Sequence, residues 1–127
     1  MAINSLLGTE FPIIQAPMAG VQDSALVIAV SNACGLGSLP CAMLTPETLY
    51  AELTAIKSQT EKPFNVNFFC HTPPEPNIER GQKWLEILNP YFKEFKLNSA
   101  DITKDAGREP FSVETAEILA EFKPSFV

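Results

Sequence analysis

The length, composition and charge of the chain indicate a soluble globular protein. It has 127 residues, of which 46% are hydrophobic and 19% charged, and this composition excludes an intrinsically disordered chain. The net charge of −6, with only nine scattered lysines and arginines, excludes the usual electrostatic binding to a nucleic-acid backbone.

The N-terminus and the cysteines indicate a cytoplasmic protein. The N-terminal residues lack the basic stretch and long apolar core of a signal peptide, and no apolar run approaches the roughly 18 residues of a membrane span. Cys34, Cys41 and Cys70 form an odd set without a Cys-x-x-Cys spacing, which predicts neither a disulfide framework nor a metal site. We expect these cysteines to be buried, reduced thiols.

Two strands and a helix are predicted in the first 40 residues. Residues 11–17 predict the first strand, since Phe11, Ile13 and Ile14 are typical of a buried strand. Asp23 or Ser24 can cap a following helix that is apolar on nearly all its faces, so we expect this helix to be well buried. Gly35 ends the helix, and residues 35–40 predict a second, short strand.

The next helix and strand have clear start signals. Thr45 followed by Pro46 predicts an N-cap and a first helical turn. The apolar residues of this helix recur on one face: Leu49, Leu53 and Ile56. Residues 62–69, introduced by Pro63, predict the third strand.

The remaining chain predicts two more helices. A long amphipathic helix is expected over residues 78–95, where Pro90 should kink or interrupt it after Asn89. We expect its apolar face to belong to the core, with Trp84, Leu85, Leu88 and Phe92. A polar loop at 98–110 and a helix at 112–123 follow. The acidic residues of the last helix are expected to face solvent: Glu114, Glu117 and Glu121.

The order of these elements predicts the fold class. Strands that alternate with helices, without hairpin turns, indicate right-handed βαβ units and a parallel α/β sheet. Residues 124–127 look like the opening of a fourth strand, but the strand has only four residues. We therefore expect a truncated chain, roughly the first half of a TIM (β/α)8 barrel, which normally needs about 250 residues. A complete small α/β sandwich is the alternative.

Ligands of parallel α/β folds bind at the carboxyl ends of the strands. This rule selects three stretches: residues 15–18, 38–41 and 67–71. Gln15 and Asn67 carry amides that both donate and accept hydrogen bonds, as the edge of a heteroaromatic ring requires. Asn65 shares a face with Asn67, which favours a polar lining. The partner of the Asn67 amide could be neighbouring backbone or a ligand.

The first of these stretches combines small and stiff residues. Ala16 and Pro17 allow the backbone to pack against a planar ring, and Met18 offers an adaptable apolar surface. Pro17 with Gly20 is also the signal of an ordinary turn.

Two further features have a structural and a functional interpretation. His71, the single histidine, has no evident carboxylate partner, so both a surface position and a substrate-facing position fit it. The Gly-Leu-Gly sequence at 35–37 lacks the rest of the dinucleotide-binding pattern. It indicates instead a helix end and close packing of helix against strand.

Three ordered blocks carry a family resemblance. Residues 12–20 (PIIQAPMAG), 26–39 (LVIAVSNACGLGSL) and 63–69 (PFNVNFF) resemble the N-terminal part of the nitronate monooxygenases, also called 2-nitropropane dioxygenases. The likeness is good over residues 11 to about 70 and is mostly one of layout beyond them. It implies an FMN-dependent (β/α)8 barrel that oxidises alkyl nitronates with molecular oxygen, of which residues 1–127 form the N-terminal portion.

The resemblance also implies roles for single residues. Ala16, Pro17 and Met18 are expected to lie against the flavin and Asn67 to hydrogen-bond its ring system, with Gln15 close by. The catalytic histidine and the phosphate-binding glycine loops of the family come from later strands, so we expect the catalytic base beyond residue 127. No metal is implied.

Departures and alternatives remain. The chain has Cys34-Gly35 where the family usually has two glycines, and the loop at 70–77 is longer and richer in proline, which leaves the substrate open. A flavin-dependent NAD(P)H reductase of quinones or enoyl thioesters would share the same barrel. A non-catalytic α/β fragment that folds with a partner, or a homo-oligomer, is also compatible with two open sheet edges.

Overall fold

The computed structural model describes residues 2–72, 75, 77–98 and 110–127. Contacts divide the chain into two compact units, one formed by Met1–His71 and Arg108–Val127 and the other by Thr72–Gly107. Nearly all of the predicted polar loop at 98–110 and part of the proline-rich loop at 70–77 lie outside the described residues.

The elements follow one another in the order α1, α2, β1, α3, β2, α4 and α5. Their bounds are α1 Ile3–Leu7, α2 Ser24–Asn32, β1 Gly37–Pro40, α3 Pro46–Gln59, β2 Phe64–Asn67, α4 Ile78–Glu94 and α5 Val113–Phe122. The short helix α1 had no counterpart among the predicted elements. None of the helices within the described ranges is both long and apolar enough to cross a membrane.

The first unit contains the parallel sheet that the alternation of strands and helices predicted. β1 pairs in parallel with β2, from Gly37 opposite Phe64 to Pro40 opposite Asn67. Isolated parallel bridges flank the pair, Ile14 to Leu36 on one side and Asn65 to Phe126 on the other. The four segments thus lie side by side in chain order, but the first and fourth predicted strands are reduced to single bridges.

Three helices of the first unit, α2, α3 and α5, pack on one face of this sheet. Leu39 of β1 and Phe64 and Val66 of β2 join one apolar core with residues of α2, α3 and α5. The helical members are Val27, Leu49, Leu53, Ile56 and Leu119. The opposite face carries Ser38 and Asn65, which are directly opposite each other in register.

The predicted start signals of α2 and α3 are confirmed, and α5 has a cap of the same kind. Asp23 caps α2 through Ala25 N, Thr45 caps α3 through Thr48 N, and Ser112 caps α5 through Thr115 N. All three caps use a short side-chain oxygen that accepts an otherwise unpaired N–H of the first turn. The acidic residues of α5 face solvent as predicted: Glu114, Glu117 and Glu121.

Helix α2 is less buried than its composition predicted. Only Val27 and Ser31 are buried, whereas Ala25 and Ala29 are exposed. One face of α2 meets β1 very closely, since a Cβ atom at Gly37 would lie 2.4 Å from Val27 O. The close helix–strand packing expected at residues 35–37 is therefore confirmed, while the small alanines leave the other face open.

Helix α4 corrects two predictions. It continues from Ile78 through Pro90 to Glu94, because a proline removes one backbone hydrogen bond without forbidding the helix; the predicted interruption after Asn89 is therefore wrong, and the predicted kink stays a prediction. Its apolar face is not core: no residue of α4 is buried among those described, and Trp84 is 57% exposed. Helical periodicity predicts which residues share a face, but it does not supply the surface that would cover them.

Candidate functional site

The carboxyl ends of the parallel segments meet at one edge of the sheet. Ser38 N donates to Gln15 Oε1 at 2.9 Å, and Cys41 N donates to Asn67 O at 2.9 Å. The first predicted stretch therefore touches the second, and the second touches the third.

The backbone ladder between the first segment and β1 stops after one rung. Leu36 N donates to Ile13 O and Gln15 N donates to Leu36 O, both at 2.9 Å. The next rung of a parallel ladder would need an N–H at residue 17, where Pro17 has none. The backbone after Gln15 is thus released from the sheet, and the carbonyl of Ser38 needs another donor.

Two glutamine side chains replace the missing rung. Gln22 Nε2 donates to Ser38 O at 2.8 Å, while Gln22 Oε1 accepts from Gln15 Nε2 at 2.7 Å and from Met18 N at 3.1 Å. Gln15 Nε2 also donates to Ala16 O. Gln22 was not among the predicted site residues. The signal that could have found it is Pro17, which leaves an acceptor on β1 without a backbone donor.

The released loop presents small residues at the surface. Ala16 and Ala19 are exposed, Pro17 is half-buried, and Met18 is 44% exposed. The loop is attached to β1 through the Gln22 side chain, which bonds both Met18 N and Ser38 O. Its small residues are therefore accessible although the loop is anchored.

A polar surface lies on the sheet face opposite the helices. Asn65 and Asn67 are half-buried and alternate with the buried Phe64 and Val66, which confirms that the two asparagines share a face. Among the described residues, neither asparagine side chain has a hydrogen-bond partner, and the fully buried Ser38 Oγ has none either. Of the two partners considered for Asn67, neighbouring backbone is therefore not used within the described part of the chain.

An open cleft adjoins this edge. It has a volume of about 500 Å³ and lies between residues 20–23 on one side and Pro40, Met43 and Leu44 on the other. Val21 is 79% exposed and Met43 is also exposed, so the rim of the cleft is apolar. Gln22 connects this cleft to the hydrogen-bond network of the released loop.

His71 lies at the surface just beyond β2. Its ring makes an edge contact with Phe69, with 6.1 Å between the ring centroids. No ion pair joins it to an acidic side chain in the part of the chain that the structure describes.

The three cysteines are free thiols in different environments. Cys41 is buried next to the site, and its burial raises the pKa of the thiol to about 12, so it stays protonated and is a poor nucleophile. Cys34 is half-buried and Cys70 is exposed, so the prediction that all three are buried is wrong. Within the described ranges, no three His, Cys, Asp or Glu side chains are grouped so that they could hold a metal ion.

Comparison with known proteins places this geometry in context. The profile of the nitronate monooxygenase family matches residues 1–119. The nitronate monooxygenase of Pseudomonas aeruginosa is 49% identical to the chain over 90 residues, which cover 71% of this chain and 26% of that protein. An octahydro-indene-carboxyl-CoA dehydrogenase of Mycobacterium tuberculosis is 43% identical over 65 residues, which cover 51% of this chain and 18% of that protein.

A solved enzyme structure is also similar to this chain. The nitroalkane oxidase of Streptomyces ansochromogenes aligns with a TM-score of 0.72 and 30% identity, over 95% of this chain and 33% of that chain. The present chain thus spans about a quarter of the length of the curated relatives that it matches, 26% in the Pseudomonas aeruginosa protein.

Proposed function

We propose the following role for this chain, which belongs to the nitronate monooxygenase family: it forms part of a flavin site in an enzyme that oxidises alkyl nitronates with FMN and molecular oxygen. The observation that carries the proposal is the released loop at Ala16–Met18, which lies at the same sheet edge as the unpartnered amide of Asn67.

The residues at this edge suit a flat heteroaromatic ring. Ala16 and Pro17 have little side-chain bulk beyond the backbone, so a ring can approach them closely, and Met18 can adapt to its surface. The Asn67 amide offers both a donor and an acceptor to the ring edge. When bound, the flavin supplies the redox centre, with oxygen as the final oxidant. His71, exposed beyond β2, is proposed on the substrate side without a catalytic role.

The sheet order supports the first part of a TIM barrel. Four parallel segments in chain order, with helices on one face and polar residues on the other, fit the initial βα units of a (β/α)8 barrel. Active sites of such barrels lie at the carboxyl ends of the strands, where the released loop is found. We infer that residues 1–127 form the N-terminal portion of a single FMN-binding domain.

Titration of the chain with FMN tests the proposal directly. Quenching of flavin fluorescence is expected on binding, and Asn67→Ala should weaken it by roughly tenfold, since the amide would lose its hydrogen bonds to the ring. Asn89→Ala, on the exposed surface of α4, is the matched control. Absence of quenching by the wild-type chain would contradict flavin binding by residues 1–127 themselves, and equal affinity of Asn67→Ala would contradict the role of the Asn67 amide.

A second candidate is a flavin-dependent reductase that takes electrons from NAD(P)H. The observation that favours it is the 43% identity to a relative named as a dehydrogenase of a CoA ester. Anaerobic mixing of the flavin-loaded protein with NADH separates the two functions. Rapid bleaching by NADH without nitronate-dependent oxygen uptake would support the reductase, and the opposite result would support the monooxygenase.

A further inference from the structure

We propose that Gln22 is a positioning residue, whose side-chain amide sets the place of the Ala16–Met18 loop and thereby the affinity of the site for flavin. The inference rests on the proposed function, because it assigns to this loop the floor of a flavin site. It concerns a residue that touches neither β2 nor the Asn67 amide and acts only through the loop.

The need for Gln22 arises on β1. Ser38 is fully buried, and a buried carbonyl without a donor is unfavourable. Pro17 cannot donate to it, and Gln22 Nε2 does so at 2.8 Å. The amide of Gln22 is therefore oriented by the strand, with its nitrogen turned toward Ser38.

This orientation fixes what the oxygen can do. With Nε2 directed at Ser38, Oε1 faces the loop and accepts from Met18 N at 3.1 Å and from Gln15 Nε2 at 2.7 Å. One planar amide thus joins the strand to the middle of the loop. A glutamate in its place lacks the donor, and a methionine of similar length lacks both the donor and the acceptor.

The main chain directly after Gln22 is held. Asp23 caps α2 by accepting from Ala25 N at 2.9 Å, and Ser24 N donates to Glu52 Oε2 of α3 at 2.7 Å. These two contacts hold Asp23 and Ser24, the two residues that follow Gln22, and so restrict the position from which the Gln22 side chain extends. The loop is consequently placed by the first unit's helices and by β1 together.

Amide hydrogen exchange and FMN titration of the 127-residue chain test this inference with two variants. Gln22→Met should speed the exchange of Met18 N–H about tenfold relative to Val66 N–H, which lies in the sheet, and should raise the FMN dissociation constant about tenfold. Gln22→Glu keeps the acceptor, so Met18 should stay partly protected. Gln59→Met, on the exposed side of α3, is the matched control and should change neither quantity.

The outcomes separate the positioning role of Gln22 from a general effect on stability. Unchanged exchange at Met18 in Gln22→Met would overturn the positioning role, as would faster exchange with an unchanged FMN affinity. Equal acceleration at Met18 and Val66 would show a general loss of stability and would also overturn it. If the wild-type chain binds no FMN, flavin binding by residues 1–127 themselves fails and the flavin part of this inference fails with it, whereas the exchange result alone still upholds or overturns the anchoring of the loop.

Discussion

The two ends of the parallel sheet differ in how their polar groups are paired. At the amino end, Ser31 Oγ donates to Pro63 O at 3.1 Å and accepts from Gly37 N at 3.3 Å, and Glu10 accepts from Cys34 Sγ at 3.0 Å. At the carboxyl end the ladder stops at Pro17, and the Asn67 amide has no partner among the described residues. The amino end thus has a closed hydrogen-bond network, and the carboxyl end has accessible polar groups, where the proposed flavin site lies.

The largest effect is expected where α2 meets β1. Gly37→Ala places a methyl group 2.4 Å from Val27 O, so the helix must move, and we expect a loss of about 3 kcal/mol in the free energy of unfolding. Urea denaturation measures the change. Gly81→Ala, which meets open space in α4, is the control and should lose nothing, because alanine favours a helix. Equal stability of the Gly37 variant and the wild type would contradict the close packing.

Removal of the Ser31 hydroxyl tests the closed network at the amino end. Ser31→Ala leaves the Pro63 carbonyl and Gly37 N–H with one partner fewer in a buried place, and a loss of about 1–3 kcal/mol is expected from thermal or urea unfolding. Ser58→Ala, whose hydroxyl is exposed on α3, should cost much less. A similar small effect for both variants would show that the amino end does not depend on this hydroxyl.

Alkaline pH tests the buried thiol beside the site. Burial raises the pKa of Cys41 from 9.0 to about 12. The pKa of Cys41 is therefore higher in the folded chain than in the unfolded chain. The contribution of this thiol to the free energy of unfolding is fully present below pH 9 and is lost as the pH rises toward 12, by about 1.4 kcal/mol per pH unit. Unfolding of the wild type and of Cys41→Ala between pH 8 and pH 10 measures the difference. Parallel pH dependence in the two proteins would contradict the burial of the thiol.

The smallest effect concerns the backbone at Cys34. This residue has a φ of 67°, which glycine adopts readily and other residues only at a cost. Cys34→Gly should relieve this strain and raise the free energy of unfolding by at most about 1 kcal/mol. The loss of the thiol's hydrogen bond to Glu10 reduces this gain. Cys34→Ala separates the two contributions, since it removes the thiol and keeps the strain. A stability of Cys34→Gly below that of Cys34→Ala would disprove the strain.

Local signals predicted much of the fold. The caps at Asp23 and Thr45 and the apolar face of α3 depend on residues within a few positions of one another, and all of them are confirmed. The parallel order of the segments followed from the alternation of strands and helices alone.

Features that depend on distant partners were not predicted. The first strand was expected over residues 11–17 but shrinks to a bridge at Ile14, because Pro17 ends the ladder. Gln22 was missed since its role depends on Ser38 O, which lies on another element. The apolar face of α4 was taken as core because periodicity cannot show whether a covering surface exists. The flavin contacts of Ala16, Pro17, Met18, Gln15 and Asn67 stay predictions.

The order of the sheet has a consequence for the growing chain on the ribosome. Within the described residues, every pairing joins a segment to the one that directly precedes it, from Ile14 through β1 and β2 to Phe126. Each of these segments therefore finds the neighbour on its preceding side already synthesised. Assembly can then follow translation, which shortens the time during which unpaired strand edges are exposed to other chains.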